Sequence, residues 1–95
     1  MIVRRESRLT AVAEVHFRQF DDEGIVLDLA NGEYYALNAV GTHVWQGLAA
    51  GKSLEEIAVA IAPTYLVDEE VLLRDCVTLA QELVERGFMQ LRGDP

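Results

Sequence analysis

Cysteine is nearly missing from this chain of 95 residues. Cys76 stands alone, so no internal disulfide can staple the fold, and a reducing cytoplasm is the expected compartment. Long apolar runs are missing too. No stretch approaches the ~20 apolar residues of a membrane span. The opening "MIVRRESRLTAVAEVHF" has basic residues but too short an apolar run for a signal peptide. Neither an internal repeat nor a low-complexity linker is present. Basic residues are scarce: eight Lys and Arg stand against 16 Asp and Glu, a net charge of −8 at pH 7. That balance disfavours nucleic acid and favours basic or apolar partners.

Reactive groupings are equally thin. His16 and His43 have no Cys or His at ligand spacing, so no metal is expected. Cys76 falls in an apolar helical stripe and reads as a small core residue rather than a nucleophile. Asp21, Asp22 and Glu23 read as solvated turn charge, and "ANG" as a hairpin turn rather than a phosphate loop. No catalytic constellation or cofactor motif stands out. A chain of this length also has little room for a deep cleft.

What is present reads as one domain, residues 1–95, with an ordered core over about 15–91. The chain is 51% hydrophobic and 25% charged, a globular composition. Its first block is β-rich. "HFRQF" (His16–Phe20) reads as a strand and "DDEG" (Asp21–Gly24) as a turn. "IVLDLA" alternates, with Ile25, Leu27 and Leu29 on one face and Val26 and Asp28 on the other. Asn31-Gly32 is a strong hairpin signal, because both residues tolerate positive φ. "EYYALN" (Glu33–Asn38) then completes a three-stranded antiparallel meander.

After Asn38 the period changes. Asn38 can cap a helix carrying Val40, Val44, Trp45 and Leu48 inward, which Gly51 ends. "SLEE" (Ser53–Glu56) is a capping box. The helix it opens is expected to stop before Pro63. Asp68 caps a third helix to about Arg86, and Gly87 closes it. "FMQL" (Phe88–Leu91) reads as a short extended tail against the core. The expected class is α+β: a three-stranded antiparallel sheet followed by three helices.

The third helix has two apolar stripes. Leu72, Cys76, Leu79 and Leu83 form the expected core face, with Leu73, Val77, Ala80 and Val84 beside it. The second stripe either packs under the sheet or the chain ends, or lines an open groove in which small Ala80 leaves space. "EYYALN" lacks the prolines and lysines that blunt an exposed sheet edge. Alternation turns Tyr35 and Leu37 inward and Tyr34 and Ala36 outward. An extended peptide can pair with this edge and drop its side chains toward the third helix. Tyr34 then either borders that peptide or covers the sheet face as a plain surface aromatic.

"GIVLDLANGEYYALNAVGTHVWQGLAAGKSLEEIAVAI", followed by "DEEVLLRDCVTLAQELVERGFM", resembles the PqqD-like family of precursor-peptide recognition elements, over about Phe17 to Leu91. The resemblance implies a winged-helix-like fold that binds a leader peptide as an added strand between the third strand and the third helix. Carried over by position, the strand side is Glu33, Tyr34, Tyr35, Ala36 and Leu37. The helix side is Leu73, Val77, Ala80 and Val84, with Glu70 and Arg74 at the rim. "GEYYALNAVGTHVWQGL" looks most like the stand-alone recognition subunit of lasso-peptide systems. That implies a separate leader peptidase, a cysteine protease, as partner. The alternative branch, pyrroloquinoline quinone biosynthesis, implies a radical SAM enzyme instead.

A winged helix also suggests DNA binding. The third helix argues against it: Asp68, Glu69, Glu70, Asp75, Glu82 and Glu85 face only Arg74 and Arg86. Such a helix repels the phosphates it would need to neutralise.

Overall fold

The computed structural model describes residues 2–92. Eight elements follow in order: β1 (Leu9–Ala11), β2 (Val15–Phe20), β3 (Glu23–Asp28), β4 (Glu33–Leu37), α1 (Ala39–Ala49), α2 (Leu54–Tyr65), α3 (Glu69–Glu85) and β5 (Met89–Leu91). The antiparallel sheet has the order β2-β3-β4, and the three helices come after it. This is the α+β architecture that the residue pattern predicts.

β2 and β3 are joined by a turn at Asp21 and Asp22, so Glu23 and Gly24 belong to β3 rather than to the turn. Gly24 is there for space: a Cβ would lie 2.5 Å from Phe17 Cε1. The Phe17 ring stacks on Trp45 of α1, which fastens the sheet to the helices. On β3 the core takes Val26, while Leu29 beyond it is 61% exposed.

Asp28 is also buried on the core side, for a local reason. Its carboxylate accepts from the Asn31 side chain and from the amides of Ala30 and Asn31. Those donors, the Asn31 side chain foremost, hold its carboxyl below the usual range. Asn31-Gly32 is therefore not a two-residue turn. Register pairs Asp28 with Glu33 across a four-residue loop, in which Gly32 alone takes positive φ.

Each helix starts on its expected cap. The side chains of Asn38, Ser53 and Asp68 accept from Gly41, Glu56, and Glu70 and Val71 respectively. In α2 the box is reciprocal, because Glu56 accepts from the Ser53 amide at 2.8 Å. Ser53→Ala removes one side of it and should cost about 1 kcal/mol. Chemical denaturation should show a lower midpoint with an unchanged slope.

Two expectations fail here. Pro63 lies inside α2, which ends at Tyr65 with Leu66 in a left-handed cap. Val59 and Pro63 share the exposed side of the helix, so water can serve the carbonyl that Pro63 leaves without a donor. The core also begins well before residue 15. Val3 and Leu9 are buried in it, and β1 pairs antiparallel with β5.

The first residues form a strap over the helices. Val3 N donates to Gln81 Oε1 on α3 at 2.8 Å. Carbonyls of Ser7 and Arg5 accept from the Leu54 and Glu55 amides at the start of α2, serving two donors that a helix leaves open. Arg5 bridges Glu55 and Glu70, and Arg8 pairs with Glu56. These pairs are about half exposed and count for little beside the burial of Val3 and Leu9.

Candidate functional site

The third strand of the sheet, β4, has β3 on one side and, among the described residues, no strand on the other. Alternation divides its side chains as expected: Leu37 is buried and Tyr35 half-buried, while Tyr34 is 64% exposed and Ala36 is exposed. Tyr35 is pinned from three directions. Its hydroxyl donates to Glu82 Oε1 on α3 at 2.7 Å. Its ring meets Phe88 edge-on, and the Arg86 guanidinium lies 5.3 Å from the ring centre. Burial, with Glu82 next, pushes the phenol up to about 12, so it remains a neutral donor.

Beside this strand lies a cavity of about 390 Å³. Tyr35, Ala36 and Leu37 form one wall, and Val40, Gly41 and Val44 of α1 close one part of it. Tyr65 and Val67, between α2 and α3, form another part. Opposite β4 stand Val71, Leu72, Asp75, Cys76 and Leu79 of α3. The wall is mostly apolar and partly open: Val67 and Val71 are 43% and 47% exposed. Tyr65 is held by a hydrogen bond between its hydroxyl and His43 Nδ1, 2.6 Å long.

The strand side of the expected site therefore meets the cavity, through Tyr35, Ala36 and Leu37; Glu33 and Tyr34 sit on β4 outside the lining. The expected helix side does not meet it. Leu73 and Ala80 are buried in the core, at 5% and 0% exposure. Val77 and Val84 are partly buried against that core. Val77 also borders a shallow depression with Thr78, Gln81, Glu82 and Glu85. Glu70 pairs with Arg5, and the Arg74 carbonyl accepts from Thr78. The stripe read as core is core, with Leu72, Cys76 and Leu83 buried in it and Leu79 packed against it, and Leu72, Cys76 and Leu79 also line the cavity.

The second stripe is instead part of the core: Leu73 and Ala80 are buried in the same cluster as Val3, and Val77 and Val84 pack against it, while the strap meets α3 through the Val3 amide and Gln81. The sequence signal for this was present in apolar Val3 and Leu9, but it named no partner for them. Val71 was legible in principle as the residue one turn before Asp75 and two before Leu79.

Cys76 is 1% exposed. Burial, with Asp75 second, pushes its thiol up to about 11, so it is protonated at neutral pH. Among the described residues no group of three His, Cys, Asp or Glu side chains is arranged to hold a metal ion. Nor is any helix among them long and apolar enough to cross a membrane.

Comparison with known proteins places this geometry. A family profile described as "Coenzyme PQQ synthesis protein D (PqqD)" matches residues 23–89, more than half of the chain. A comparison with curated proteins gave no significant match. Among solved structures, one described as "TbiB1 in Complex with the TbiA(beta) Leader Peptide" is 34% identical, with a TM-score of 0.78. The match covers 90% of this chain and 98% of the other. Another, "Lasso peptide synthetase B1 complexed with the leader peptide", is 28% identical, with a TM-score of 0.80 over 87% and 98% of the two chains. Sequence match and shared fold agree over the segment that builds β3, β4 and the three helices: the chain belongs to the PqqD family.

Proposed function

We propose that this chain is the non-catalytic recognition subunit of a lasso-peptide system. It captures the leader segment of a ribosomally made precursor as a fourth strand on β4. It then presents the peptide to a separate leader peptidase, a cysteine protease, in the cytoplasm. One observation carries the reading: the uncovered edge of β4 borders a mostly apolar cavity against α3. Main-chain pairing along Glu33 to Leu37 supplies register, and alternate peptide side chains enter the cavity. The anchors rest on Val71, Leu72 and Leu79.

The two similar structures, both complexes with leader peptides, support this assignment. Capture raises the effective concentration of the cleavage site at the enzyme, and no catalytic group is needed for that. The family description favours a second recipient, the radical SAM enzyme of the pyrroloquinoline quinone branch. The capture step would be the same.

Isothermal titration with the leader of the precursor encoded beside this gene tests the reading. We expect a 1:1 complex that is unchanged in chelator. The same protein should accelerate leader removal by the neighbouring peptidase at low substrate concentration. No heat of binding would sink the capture step; binding without acceleration would sink only the peptidase assignment.

A further inference from the structure

Val71, Asp75 and Leu79 follow one another at four-residue intervals, so they lie one above the next along α3. All three line the cavity. Two are aliphatic, and the middle one is a carboxylate. The remaining lining residues are apolar, neutral polar or aromatic, apart from the protonated thiol of Cys76. Among the described residues, Asp75 is thus the one charge in an otherwise uncharged wall.

The usual structural duties of an aspartate do not account for it. Aspartate is a weak helix former in a helix interior. The cap of α3 is Asp68, seven positions earlier. The ion pairs of Arg5 and Arg8 are with Glu55, Glu70 and Glu56, not with Asp75. Among the described residues the Asp75 side chain has no ion-pair or hydrogen-bond partner. Its charge nonetheless reaches the cavity floor, where it adds to the upward push on Cys76.

We propose that Asp75 selects the captured peptide by charge: it takes a lysine or arginine on the same face of the added strand as the apolar anchors. This inference rests on the leader-capture reading. In the peptide-free protein the exposed carboxylate is hydrated. A strand lying in the cleft removes part of that water, and a carboxylate desolvated without a partner is costly. A cationic side chain offsets the cost through a charge-assisted hydrogen bond, whereas an acidic one adds repulsion. Alternation puts the basic residue an even number of positions from an anchor. Val71 and Leu79 supply contact area, and Asp75 decides which sequences use it.

Selection of a short randomised peptide library by mRNA display against the wild-type chain supplies the probe. Selected binders should carry Lys or Arg at even spacing from Leu, Ile, Val or Phe. In titrations, replacing that basic residue by norleucine should weaken binding roughly five- to tenfold. Asp75→Asn should weaken the parent peptide by a similar factor, with little further loss when the two changes are combined. High salt should shrink the difference. Equal affinity of Asp75→Asn and wild type for every selected peptide would overturn the charge role and leave capture standing. Failure to select any binder sensitive to Val71→Asp would overturn capture itself, and this inference with it.

Discussion

Val71→Asp should abolish leader capture and leave the protein folded. Val71 is 47% exposed on the cavity wall, so the new carboxylate keeps its water in the free protein. It stands one helical turn from Asp75, a like-charge pair worth about 0.5 kcal/mol or less. The thermal midpoint should therefore fall by no more than about 4 °C. Binding is another matter. An apolar anchor resting on that wall would desolvate the carboxylate and offer it nothing, which should weaken the complex roughly a hundredfold or more. Val71→Ala should lose far less. Val77→Asp is the control on the other side of the helix: beside Gln81, Glu82 and Glu85 it should cost stability but leave affinity within about twofold. Titration and thermal melting of the three variants separate the faces. A Val77→Asp protein that folds but no longer binds, beside a Val71→Asp protein that still does, would return the groove to the second stripe.

Much of the fold was legible because it is written in local chemistry. Asn38, Ser53 and Asp68 cap helices through their own side chains, and Gly51 and Gly87 take the positive φ that ends α1 and α3. The inward turn of Tyr35 and Leu37 follows from period two. Less legible was whatever depends on a partner distant along the chain. Leu9 to Ala11 pairs with Met89 to Leu91 across nearly the whole sequence, and three residues carry too little pattern to announce it. The turn after β3 misled for a related reason: Asn31 spends its side chain on Asp28, so the Asn-Gly pair serves a longer loop.

The site divided along the same line. Its strand wall was readable from alternation alone. Its helix wall was not, because α3 is apolar on two adjacent stripes and periodicity ranks neither. The fold decides, by burying Leu73 and Ala80 and leaving Val71, Asp75 and Leu79 along the cavity beside β4.

Ala80 is where the two readings of α3 give opposite results, and Ala80→Leu is the variant that separates them. If Ala80 bordered a groove, a leucine there would crowd the peptide, cut affinity and leave stability alone. The structure buries Ala80 completely, within the core cluster. Three added carbons then have no space to enter. Overpacking of this kind costs about 1–3 kcal/mol, or a fall in thermal midpoint of roughly 5–20 °C for a chain of this size. Peptide affinity, measured well below that midpoint, should change by less than about threefold, because Ala80 does not line the cavity. Ala80→Asp carries the same logic to its limit. An unpaired carboxylate at a site with no exposure costs several kcal/mol, on the order of the whole stability of a small domain, and no cooperative transition should survive. Retention of the wild-type midpoint in Ala80→Leu, together with lost binding, would mean that the second stripe is the peptide's seat.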